Sequence, residues 1–245
     1  MDAPRRDVVV WDLPTRIFHW TMVLLVAINL FVISPKGGLH TKIHFLAGYA
    51  IASLLVFRLA WGFIGSRRSR FGDFVQPWPK LRAYLARLMR FDPPHSVGHN
   101  PVGGWMILGL LAMLLSMILT GLLAANRRSA GPLAYLMGGS GARLMGELHS
   151  LLSSVLIAFI IVHIGGVLVE WLLSGENLIR AMLNGRKRLP EAEAATEPAP
   201  APIWRAAVLL VVAAAFGLWL AFSTDYARTD STLGAPSGQT GASNQ

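Results

Sequence analysis

The sequence predicts an all-α membrane protein: a four-helix transmembrane bundle followed by a fifth spanning helix. Three observations carry the prediction. Of 245 residues, 53% are hydrophobic and only 14% charged, less charge than a soluble domain of this length carries. The mean hydropathy is +0.49. The apolar residues also come in five blocks rather than at helix or strand periods, each close to the ~18 residues that a bilayer crossing requires.

The first span, 17–33, holds His19 and Asn29, and no A-x-A-like site leads from it into a soluble domain, so it does not read as a signal peptide. The turn "SPKGGLHTK" joins it to the second span, 43–64. The connection 65–101 carries Pro77, Pro79, Pro93 and Pro94, with "KLRAYLARLMR" between the pairs. Its arginines, leucines and tyrosine suit a short helix at the membrane interface, or equally a solvated one. The third span is 104–124, the loop 126–146 is rich in Gly and Ser, and the fourth span is 151–173. The bundle then occupies 9–175. Residues 186–202, within "GRKRLPEAEAATEPAPAP", have linker composition and separate it from the fifth span, 203–222. The tail 223–245 has the composition of a disordered segment.

The net charge is +9, but its distribution argues against nucleic acid. Arg5, Arg6 and Arg16 precede or open span one. Arg67, Arg68, Arg70, Lys80, Arg82, Arg87 and Arg90 lie between spans two and three, and Arg180, Arg186, Lys187 and Arg188 between spans four and five. The other side has only Lys36, Lys42, Arg127, Arg128, Arg143 and Arg228. The positive-inside rule therefore puts the N-terminus in the cytoplasm and, after five spans, the C-terminus outside. Contact with anionic membrane lipid is a secondary expectation. There is no cysteine, which excludes disulfides, thiolate metal sites and c-type haem attachment.

Four histidines fall on spans one, two and four. By this topology His44 and His149 share the outer half of the bundle, while His19 and His163 share the inner half. His163 follows His149 by 14 residues, about 21 Å along a helix and close to four full turns, so both project from nearly one face. Each pair draws on two helices, the arrangement that axial ligation of two stacked b-type haems requires. The alternative for any single membrane histidine is a hydrogen bond to a neighbouring helix. Zinc is a weaker alternative: His40 and His44, like His95 and His99, are spaced i, i+4, but no carboxylate or cysteine completes a site. Gly48, Gly165 and Gly166, with Gly103, Gly104, Gly109 and Gly121 on span three, suit either a flat porphyrin wall or close helix packing. Arg16, one turn before His19, and Arg58 are candidate partners for haem propionates or for lipid phosphates.

The segments "VWDLPTRIFHW", "KIHFLAGYAIASLLVFRLAWGFIG", "RFGDFV", "GHNPVGGWMILGLL", "LTGLL", "GELHS" and "VHIGGV" occur in order over residues 9–173. In them the chain resembles the bacterial cytochrome b561 family, which includes the cytochrome b subunits of nickel–iron hydrogenases. The resemblance implies two b haems in a four-helix bundle in the bacterial inner membrane. It also implies His19, His44, His149 and His163 as iron ligands, with His40 as a second candidate beside His44. The fifth helix exceeds the family's minimal pattern. Two imidazoles per iron leave no position for oxygen activation, so the expected chemistry is one-electron transfer. Electrons would pass between the quinone pool and an outer-face partner: a soluble c-type cytochrome, a hydrogenase-like redox enzyme or superoxide. Lys36, Lys42, Arg127, Arg128 and Arg143 could steer such a partner. The sequence leaves room for a homo-oligomer. A haem-free transporter or scaffold is the alternative of another class, though Glu170 is the one carboxylate within spans one to four.

Overall fold

The computed structural model describes residues 5–32, 39–92, 94, 96–126 and 129–233. Lys36, His95, Arg127, Arg128 and the tail beyond 233 lie outside the described residues. Helix α1 (Leu13–Val32) starts where the Asp12 carboxylate accepts the Thr15 N–H at 2.8 Å. This is an N-cap, with Pro14 in the first turn where its missing N–H costs nothing. Helix α2 (Leu39–Ile64) returns. Two short helices follow, α3 (Phe71–Phe74) and α4 (Trp78–Leu88). The second is the surface helix expected between the proline pairs, and it buries Leu81 and Tyr84. Helix α5 (Pro101–Leu123) is capped by the Asn100 side chain, which accepts the Gly103 N–H at 2.6 Å.

Helix α6 (Gly138–Ser174) begins well before the expected 151. The Gly/Ser composition of 126–146 masked this start, because such residues are weak helix formers that tertiary packing overrides. Among the described residues five helices are long and apolar enough to cross a membrane, and α9 (Ile203–Leu233) is the last of them. Phe31, Leu172, Val211 and Phe222 stand exposed on them, as lipid-facing side chains do.

Met22 of α1, Ile51 and Leu55 of α2, Leu111 and Leu114 of α5, and Leu156 of α6 form one buried cluster at mid-depth. Leu156 lies midway in sequence between His149 and His163. The cluster therefore partitions the bundle into two ends. We call the end carrying β1, α3, α4 and the arginine-rich connections the basic end, and the other the far end. Helix α1 packs on α2, and α5 on α6.

Two expectations are corrected. The stretch read as a linker from 186 is structured. Helix α7 (Leu178–Asn184) leads into strand β2 (Arg186–Pro190), which pairs antiparallel with β1 (Arg5–Val9), Asp7 opposite Arg188, and is followed by the short helix α8 (Glu191–Ala194). Strand alternation is the cause: Lys187 and Leu189 turn inward, and Leu189 packs on Val10, Trp11 and Ala181.

The fifth helix is not a detached appendage either. It lies along α2, with Ala206 and Ala213 against Phe57 and Trp61, and Leu220 against Tyr49 and Ala52. A Cβ at Gly217 would collide with Ser53 Oγ. The helix also runs on past 222 to Leu233, since loss of hydropathy ends a span without ending a helix.

Candidate functional site

At the far end the His44 and His149 rings stand 6.0 Å apart, centroid to centroid, with planes at 88°. Metal–imidazole bonds of about 2.0 Å would put two imidazoles on one metal at about this centroid separation. His149 Nδ1 lies 3.0 Å from the Met117 carbonyl, with Thr120 Oγ1 at 3.2 Å. A carbonyl only accepts, so Nδ1 carries the proton and Nε2 keeps its lone pair, the second-shell arrangement of a ligating histidine. A cavity of about 700 Å³ opens between the helices, lined by His44, His149, Gly48, Met117 and Leu114 among others. That is the size of a cofactor pocket.

Nothing lies within 4 Å of a Cβ placed at Gly48, while one at Gly121 would sit 3.0 Å from His149 Cε1. His40 also lines this cavity but is exposed, whereas His44 is the one in ring contact with His149. Asn29 faces the same cavity, with a buried Oδ1 that has no hydrogen-bond partner.

At the basic end His19 of α1 and His163 of α6 lie on the same side of the buried cluster around Leu156. His19 Nδ1 is buried without a partner, and Cβ atoms placed at Gly165 and Gly166 would meet nothing within 4 Å. The α1–α6 contact is not among the major backbone contacts, and neither is α2–α6, which carries the far-end histidines. Such spacing and unpaired nitrogen fit a flat group held between imidazoles, as the far-end geometry does. Gly104 and Gly109 serve helix contacts instead, approaching the Phe74 carbonyl and the Phe159 ring.

A buried polar network closes the basic end. Asp12 accepts from Trp61 Nε1 at 3.1 Å and from Ser69 Oγ at 3.1 Å, and Ser69 Oγ lies 2.7 Å from Thr15 Oγ1. Arg58, 3% exposed, donates to the Ser69 carbonyl at 3.1 Å and rests on the Phe71 and Phe74 rings. Arg16 donates to the Leu183 carbonyl at the end of α7, and its Nε is buried without a partner.

Val10 and Trp11 both donate to the Gly185 carbonyl. Gly185 has φ 80°, and a Cβ there would lie 2.6 Å from the Trp11 carbonyl; only glycine suits that turn. Together β1, β2 and α7 form a lid. Beneath it His99 sits between Trp11 and Phe74, the ring planes tilted by 52° and 56°, its Nδ1 buried and unpartnered. Burial, then the charges of Arg58 and Lys187, push its pKa down to about 3.

Asp12, Thr15 and Ser69 escaped the sequence reading, as did His99 in this setting. Asp12 had a readable signal: a lone carboxylate before Leu-Pro at the head of an apolar run marks an N-cap. Ser69 and His99 had none, because their meeting with α1 depends on how the long connection folds back. Among the described residues no three His, Asp or Glu side chains converge into a metal cage, so the histidines pair rather than cluster.

The family model for prokaryotic cytochrome b561 matches residues 10–185. The "Probable Ni/Fe-hydrogenase 1 B-type cytochrome subunit" of Escherichia coli (strain K12) is 28% identical over 210 residues, 72% of this chain and 88% of that protein. A "Probable Ni/Fe-hydrogenase B-type cytochrome subunit" of Rhizobium leguminosarum bv. viciae is 27% identical over 222 residues, 77% of this chain and 92% of that one. Its namesake in Rhodobacter capsulatus is 23% identical over 217 residues, 75% and 82% of the two chains. No solved structure matches. The chain belongs to the prokaryotic cytochrome b561 family, and is a multi-pass membrane cytochrome that transfers electrons by way of haem b.

Proposed function

We propose that this protein carries electrons across the bacterial inner membrane through two bis-histidine b haems. His44 and His149 hold one at the far end, and His19 and His163 hold the other at the basic end. The observation that carries the reading is the 6.0 Å separation of the His44 and His149 rings beside a cavity of about 700 Å³. The basic end faces the cytoplasm by the charge rule, so the far end and the C-terminus face the periplasm.

Haem b supplies a one-electron iron couple, and the chain's residues set its surroundings. The Met117 carbonyl, taking the Nδ1 proton of His149, fixes that ring's tautomer and raises its basicity. The cluster around Leu111 and Leu156 keeps water out of the space between the two sites. The buried Nε of Arg16, one turn before His19, is a donor for a basic-end propionate. Arg58 adds positive charge that Asp12 offsets. Gly48, Gly165 and Gly166 leave room for a flat ring beside the histidines.

The redox partner is of the hydrogenase class, as the relatives' names suggest, with the quinone pool at the other end of the path. A c-type cytochrome or superoxide are the other electron donors or acceptors that an exposed far end would admit. A reduced-minus-oxidised spectrum with a pyridine haemochrome assay tests the core of this. Two b haems per chain are expected. No haem would overturn the reading in favour of a transporter or scaffold.

A further inference from the structure

We propose that His99 donates its Nδ1–H to a propionate carboxylate of the basic-end haem, and so sets that haem's potential. The inference rests on the reading that His19 and His163 hold that haem. His99 Nδ1 is one of four buried side-chain polar atoms without a partner among the described residues, and three of these, with Arg16 Nε and His19 Nδ1, lie at the basic end. A buried polar nitrogen left without a partner there is costly, and facing an anionic carboxylate it would be the one that carries the proton.

The ring cannot swing away to find water. It is held by Trp11 at 4.3 Å and Phe74 at 5.1 Å, centroid to centroid. Arg58 sits on that same Phe74 ring at 5.6 Å, so the imidazole and a buried guanidinium flank one aromatic face. The local field favours an anion, since Arg58, Lys187 and Arg68 all bear on His99.

Among the described residues no carboxylate bonds His99 Nδ1, and those at this end already have partners. Asp12 is taken up by Thr15, Trp61 and Ser69. Asp73 and Glu197 pair with Arg68, and Glu176 with Lys187. Trp11, which holds the His99 ring, and Arg16, one turn from His19, both close on Gly185, which puts His99 in the neighbourhood of the basic-end haem. Burial keeps the imidazole neutral, with one N–H to give. A propionate supplies both the acceptor and the negative charge.

The test uses the full-length protein in membranes, with His163→Ala identifying which haem is the basic-end one. His99→Leu is expected to retain both haems and to move that haem's propionate bending band in resonance Raman spectra. It should also lower that haem's reduced-to-oxidised ratio at fixed ambient potential about tenfold, about 59 mV for one electron. His99→Gln, which keeps an N–H, is expected to hold band and potential near wild type. An unmoved band and potential in His99→Leu overturns the proposal. If His99→Leu does not assemble, His99→Gln decides: wild-type band and potential support the proposal, and a displaced band or lost haem overturns it. Retention of both haems in His163→Ala overturns the ligand reading and this proposal with it, a result distinguishable from failure of His99 alone.

Discussion

The two ends of this bundle use the same residue type in opposite settings. At the far end His44 and His149 border an open cavity of about 700 Å³, with the exposed His40 on its lining and few charges nearby. At the basic end the lid of β1, β2 and α7 is tied to α1 beside His19 through Arg16 and Trp20, next to a buried network of Asp12, Thr15, Arg58, Trp61 and Ser69. The contrast teaches that a ligand pair alone does not define an electron-transfer site. On the proposed reading, access would select the site that meets a soluble partner, and buried charge would set the potential of the other.

The comparison breaks most severely at the ligands. Either His149→Ala or His163→Ala should halve the b-haem content per chain, read by pyridine haemochrome, and each should remove a different haem. Next comes the network. Asp12→Ala removes the α1 cap and strands the Trp61 Nε1–H and the Ser69 hydroxyl, which should cost about 2–4 kcal/mol, the loss of a cap together with buried donors left unpaired. Thermal denaturation in detergent should show the basic-end haem lost first; simultaneous loss of both would contradict the division into two ends.

A smaller effect is expected from Gly217→Leu, which pushes α9 off α2 and should destabilise by about 1–3 kcal/mol, as overpacking does. Both haems should remain, because α9 carries no ligand. The smallest comes from Thr120→Val. His149 keeps its bond to the Met117 carbonyl, so haem content should not change, and a redox titration should show a slight move of the far-end potential alone.

Much of this was legible in the sequence. Five apolar blocks gave five spanning helices, since hydrophobic length is a direct requirement of the bilayer. The spacing of His149 and His163 on one helix, with the topology, paired the four histidines by end. What was not legible lay in the connections. The basic-end lid joins residues 5–9 to 186–190, and no local pattern announces a pairing across so long a stretch of chain. The Pro/Ala/Glu composition after 190 hid a segment that is nonetheless tied down, for instance by Arg68 to Glu197. His99 read as half of a weak zinc pair, because its burial between Trp11 and Phe74 is set by the fold-back of 65–100.

The most direct test of a transmembrane path with unlike ends is reduction from one side. Spheroplasts expressing the full chain would be exposed to a membrane-impermeant reductant at the periplasmic face, and haem reduction followed optically. The account predicts that both haems reduce in the wild type, and that in His149→Ala the remaining basic-end haem reduces at least about tenfold more slowly. Reduction of that haem at the wild-type rate would contradict it.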